Sequence, residues 1–153
     1  DSDLDLYACC CELPLLNVEY FKLNGLPQEK IVKILLASSA IPVVFKPESI
    51  DGRVYTDGGV RDILPVKPLY DEGYRRFITV SLDPHRRVDR SKFPEAKFIE
   101  IMPEPNGDFS FEDTFDFSDA GAARRIQRGY EDAIRILQLR LRKKLPDQQK
   151  NNV

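Results

Sequence analysis

Apolar and polar positions in this sequence fall into short blocks divided by turn-forming residues. Leu6–Glu12 predicts a strand, and Val18–Leu23, with Val18, Tyr20 and Leu23 among polar neighbours, predicts a second; Pro14 and Asn17 lie in the connection. Asn24-Gly25 signals a turn, and Pro27 suits the first turn of a helix. Gln28 to Ser39 then follows helical spacing, with Ile31, Ile34, Leu35 and Ala37 or Ser38 turned inward and Pro42 as the stop. Two extended runs, Val43–Ile50 and Arg53–Thr56, flank Asp51-Gly52, the strongest short-range hairpin signal. A short helix is expected over Pro65–Glu72 with Gly73 as its C-cap, then a buried strand over Phe77–Leu82 and another over Phe98–Met102. The loop between these two strands, Asp83–Lys97, is polar and basic. From Pro103 to Phe117 the chain is acidic and rich in Phe, which predicts an irregular segment pinned by its rings. Ser118 or Asp119 would cap a long helix over Ala120–Leu145. After Pro146 the chain is polar and is expected to be disordered.

Alternating strands and helices predict an α/β fold: a central mixed, largely parallel sheet covered by helices on both faces. Residues 1–145 would form one domain and residues 146–153 a polar tail. The apolar pattern begins at once, at Leu4 and Leu6, as if the domain were entered part-way, so the N-terminal part of the fold is expected upstream of Asp1.

Charge narrows the function classes. Net charge is −2, from 23 basic and 25 acidic residues, which supplies no overall field for nucleic acid or membrane. The exception is local: the last helix holds eight basic side chains, from Arg124 to Lys144, against Glu131 and Asp132 between Ala120 and Leu145. Such a helix suits either a solvated outer face or peripheral contact with anionic headgroups. Three adjacent cysteines, Cys9, Cys10 and Cys11, have neither metal-site spacing nor a nearby His, and consecutive strand positions point to opposite faces. They predict small apolar fillers of a buried strand and a reducing, cytoplasmic setting.

The stretch richest in chemistry is Ala37–Val66. It sets a carboxylate, Asp57, just past a hairpin strand, followed by Gly58 and Gly59. Two glycines permit positive φ and let another segment approach closely. A carboxylate held there can accept a proton from a hydroxyl within hydrogen-bond reach, although Thr56-Asp57-Gly58-Gly59 also suits a plain tight turn. Ser38 and Ser39 suit a structural role at a helix end, Asp62 a surface or capping role, His85 a solvated loop, and Asp83, just past a strand, suits either a cleft or a loop.

In order and spacing, this stretch resembles the signature of the patatin-like phospholipases. The run Ser38-Ser39-Ala40-Ile41-Pro42 is followed by Phe45 and Pro47, Asp51-Gly52, Tyr55, Asp57-Gly58-Gly59-Val60 and Leu64-Pro65-Val66. Further on, Gly73, Phe77–Leu82, Asp116-Phe117-Ser118-Asp119 and Gly129-Tyr130 also look familial, so that the resemblance covers residues 4–138. It implies hydrolysis of lipid or other acyl esters by a Ser–Asp dyad, with Asp57 as the base, Gly58 and Gly59 supporting it, and the serine in a G-x-S-x-G elbow. Such hydrolysis implies no metal and no organic cofactor. None of the eight serines has Gly two residues before it, so the nucleophile and the glycine-rich oxyanion loop would lie upstream, and this chain alone would be inactive. Ile63 stands where the resemblance predicts Asn, which implies local repacking.

The alternative is a catalytically silent lipid- or protein-binding module on the same scaffold, or a fragment with no function of its own. Lacking the first strands of such a sheet, the isolated chain is expected to associate with itself or with a complementary fragment.

Overall fold

The computed structural model describes residues 4–104, 116 and 118–144, the side chains of 141, 143 and 144 apart. It forms two compact units, residues 1–74 and 75–153.

The first unit is built on a four-stranded antiparallel sheet in the order β2-β1-β4-β3. The strands are β1 (Tyr7–Glu12), β2 (Asn17–Lys22), β3 (Glu48–Ile50) and β4 (Arg53–Asp57). Helix α1 (Gln28–Ser38) joins the two hairpins, and a 3₁₀ turn (Gly58–Val60) and helix α2 (Lys67–Asp71) follow β4. Asp51 and Gly52 both take positive φ, +50° and +80°, the turn whose twist matches that of the strands it joins.

Three adjacent cysteines are buried because both faces of β1 are covered. Ala8 and Cys10 meet α1, where Ile34 and Ala37 are fully buried and Leu23, Ile50 and Tyr55 complete the core. The Cys10 thiol points at the Ile34 carbonyl, 3.6 Å away. Cys9 and Cys11 face the other way, toward the 3₁₀ turn, and the Cys11 thiol lies 3.8 Å from the Gly58 carbonyl. Within the core Phe21 meets Tyr55 edge to face at 5.3 Å, and the Tyr55 hydroxyl donates to Glu19 at 2.6 Å, so the ring is buried without stranding its polar end.

In the second unit β5 (Arg76–Val80) and β6 (Lys97–Ile101) form a parallel pair with Phe77 opposite Phe98. Their rings stack at 5.2 Å. The buried Glu100 carboxylate ties down the connection: it takes the Val88 amide at 3.2 Å and the Arg90 guanidinium at 2.5 Å. Helix α3 (Asp119–Lys144) is capped by Ser118, whose hydroxyl accepts from the Gly121 amide at 3.0 Å.

Four expectations need correction. The sheet of the first unit is antiparallel, not largely parallel, because tight connections of a few residues join β1 to β2 and β3 to β4; a parallel pair needs a long crossover, which the connection from Ser81 to Ala96 provides between β5 and β6. The run Val43–Ile50 is extended only over Glu48–Ile50, since Val44 and Phe45 donate back to the Ile41 carbonyl and coil the chain into a turn. Leu35 is half exposed, since the buried side of α1 runs through Ile31, Ile34 and Ala37. Strand β5 is not wholly buried: Phe77 and Thr79 turn inward, while Ile78 and Val80 are exposed. The Phe-rich segment, for residues 105–115 and 117, and the tail lie outside the described residues.

Ile34 has no solvent exposure and sits at the centre of the core of the first unit. Ile34→Ala should lower unfolding free energy by about 2–5 kcal/mol and Ile34→Val by about 0.5–1.5 kcal/mol, measured by urea denaturation.

Candidate active site

Asp57 ends β4 and caps the 3₁₀ turn that follows. Its Oδ1 accepts from the Gly59 amide at 2.7 Å, while its own amide donates to the Ala40 carbonyl at 3.1 Å. The neighbouring Thr56 hydroxyl donates to the same carbonyl at 2.7 Å, so the end of α1 and the end of β4 are stitched together just before the carboxylate. Asp57 is half buried, and its Oδ2 has no hydrogen-bond partner among the described residues.

Gly58 is needed for closeness rather than for freedom of rotation. A Cβ built there would lie 2.4 Å from the Cys9 carbonyl oxygen and 2.5 Å from the Cys9 sulfur. Neither Gly58 nor Gly59 has a positive φ, so of the two roles expected for the pair only close approach is used. With Gly58 pressed on β1, its carbonyl gathers the Arg61 amide at 3.0 Å and the Asp62 amide at 2.9 Å.

Asp62 is where the sequence misled. It is a structural tie, not a surface residue: its Oδ2 accepts the Tyr20 hydroxyl at 2.5 Å. Tyr20 lies opposite Cys9 in the β1–β2 register, on the face that the Asp57 loop covers. Ile63 is 49% exposed beside Gly59, so this departure from the expected Asn is accommodated at the surface rather than by repacking inside.

The remaining candidates have the structural roles expected of them. Ser39 donates to the Leu35 and Leu36 carbonyls at the end of α1. Asp83 accepts from the His85 amide at 2.8 Å and pairs with Arg86, closing a turn within its own loop, and His85 is exposed. On α3 several basic groups are engaged within the second unit: Arg124 with Asp116, Arg135 with Asp132 and Glu104, and Arg140 with the Phe98 carbonyl. Among the described residues no group of three or more His, Cys, Asp or Glu is gathered as a metal site, and no helix is long and apolar enough to cross a membrane.

Burial, with the negative field of Asp57 and Asp62 behind it, pushes the Cys9 thiol up to about 12, and burial does the same for Cys10. At neutral pH both are therefore protonated and neither is a nucleophile.

Residues 10–70 match the family model of the patatin-like phospholipases. That family is one of lipid acyl hydrolases, and the matched window runs from β1 through α2, taking in Asp57 and the turn it caps. The chain is also similar to the uncharacterized protein YjjU of Escherichia coli (strain K12), 31% identical over 114 residues. The aligned part is 73% of this chain and 29% of that protein, so the chain spans under a third of the length of the curated relative it matches.

Gly58→Ala should destabilise the fold by about 1–3 kcal/mol, because backbone has to move off Cys9. Raised thiol values make a second prediction. In the unfolded chain the thiols ionise near about 8.5, so the unfolded state loses protons first and stability falls as pH rises from there toward about 12. Urea midpoints at pH 7.5 and 10 should show the fall, and Cys9→Ala with Cys10→Ala should reduce it, leaving the part due to Cys11, Tyr20 and Tyr55, which burial also raises.

Proposed function

We propose that this chain is the aspartate-bearing part of a patatin-like lipid acyl hydrolase, with Asp57 as the general base of a Ser–Asp dyad. The serine comes from polypeptide outside these 153 residues, since no G-x-S occurs among them. One observation carries the reading: Asp57, half buried and pinned through its backbone, has one carboxylate oxygen committed to the Gly59 amide and the other without a hydrogen-bond partner among the described residues. A residue serving only as a turn cap needs the first oxygen alone.

In the reaction, the serine hydroxyl passes its proton to Asp57 Oδ2 as its oxygen attacks the ester carbonyl. Collapse of the tetrahedral adduct breaks the bond to the alcohol, and the proton moves from Asp57 to that leaving oxygen. Water then repeats the sequence on the acyl-enzyme, with Asp57 taking the water proton and returning it to the serine. Asp57 Oδ1 stays with Gly59 throughout, so the carboxylate keeps its orientation whichever way the proton moves.

Asn caps as well as Asp, so Asp57→Asn in the serine-bearing full-length protein separates the two roles. The expected result is unchanged thermal stability with a fall of roughly 10²–10⁴-fold in hydrolysis of a chromogenic acyl ester. Asp57→Ala should lose the activity and also about 1 kcal/mol of stability, because the cap goes with it. Equal rates for wild type and Asp57→Asn would remove Asp57 from the mechanism; no hydrolysis by either would leave the silent binding module.

A further inference from the structure

We infer that Tyr20 is a positioning residue for Asp57, acting through its hydrogen bond to Asp62; this rests on the dyad reading above. The loop from Asp57 to Asp62 is held at both ends. At its start Asp57 is fixed by Ala40 and caps Gly59. At its far end Asp62 is fixed twice, by its amide on the Gly58 carbonyl at 2.9 Å and by its carboxylate on the Tyr20 hydroxyl at 2.5 Å.

The tie is long-range, as is the weak contact of the Cys11 thiol with the Gly58 carbonyl near the start of the loop. Tyr20 is on β2, 42 residues from Asp62 in sequence, and every other hydrogen bond made by residues 58–62 to a backbone group stays within the loop or reaches β1. Gly58 has no side chain to grip β1, only a carbonyl that it shares between the Arg61 and Asp62 amides and the Cys11 thiol. Two side-chain contacts therefore fasten the loop to the sheet, the weak Cys11 thiol contact on the Gly58 carbonyl at 3.8 Å and the shorter Tyr20 hydroxyl bond to Asp62, and only the second holds the far end of the loop. Burial, and then the bond to Asp62 itself, raise the Tyr20 phenol well above its ordinary range, so the hydroxyl keeps its proton and donates throughout the range in which an esterase is assayed.

Displacement by even about 1 Å of a group that takes a proton in the transition state costs up to about 100-fold in rate. On this reading the bond acts on the proton acceptor alone, so its loss should appear in kcat and leave KM alone.

The test uses the serine-bearing full-length protein with a chromogenic acyl ester, and Asp57→Asn runs alongside. Tyr20→Phe should lower kcat by roughly 10–100-fold with KM unchanged and the far-UV circular dichroism intact. Asp62→Asn, whose amide oxygen still accepts from Tyr20, should keep most of the activity, whereas Asp62→Ala should match Tyr20→Phe. If Asp57→Asn is inactive but Tyr20→Phe turns over like wild type, the positioning role is overturned and the dyad stands. If Asp62→Asn falls as far as Asp62→Ala, charge rather than the hydrogen bond matters, which also overturns it. An Asp57→Asn protein as active as wild type removes the dyad and the positioning role together.

Discussion

The seating of Gly58 on Cys9 is the constraint from which the candidate site follows. Any side chain at position 58 would meet the Cys9 backbone carbonyl within 2.4 Å, so the chain leaving β4 lies flat against the sheet only because it carries no Cβ there. Once it does, the Gly58 carbonyl is aimed where the Arg61 and Asp62 amides close a turn on it. The same seating brings the Gly59 amide under Asp57 Oδ1, which fixes the carboxylate, and brings Asp62 to Tyr20. One steric requirement thus sets the positions of two carboxylates, and the small side chain of Cys9 is its counterpart on the sheet.

That contact also explains the cysteines. A strand covered by α1 on one face and by the turn on the other needs apolar side chains at consecutive positions, and the face under the turn has no room for large ones. Cysteine meets both demands, being small, apolar when protonated, and able to give a weak hydrogen bond to the nearby Ile34 and Gly58 carbonyls. The burial that packs them also raises Cys9 and Cys10 far above neutral pH, so the same feature that makes them good fillers makes them poor nucleophiles.

Local signals in the sequence were legible and long-range ones were not. Asp51-Gly52 gave its hairpin because two positive φ values are a property of those two residues, and the Ser118 cap followed from a side chain and an amide three positions on. Strand direction failed because it depends on which strands pair, and short connections force antiparallel neighbours whatever the strand sequences are. Strand β5 was expected to be buried throughout, since a run of β-branched residues looks the same whether one face or two are covered, and the structure covers one. Asp62 was taken for a surface residue because nothing local marks it. Alternation does put Tyr20 on the Cys9 face, but only the path of the loop brings Asp62 there.

A carboxylate is a weak base for a serine hydroxyl, and this bears on why so many bonds converge here. It takes the proton only as the new carbon–oxygen bond forms, and so depends on alignment. A dyad without histidine therefore needs its aspartate held in place from several directions. Asp57 is held by Ala40 behind it, by Gly59 in front, and through its loop by Gly58 on β1 and Tyr20 on β2. A turn that merely reversed the chain would need the Gly59 cap alone. The proposed role as proton acceptor rests on this restraint together with an Oδ2 that has no hydrogen-bond partner among the described residues.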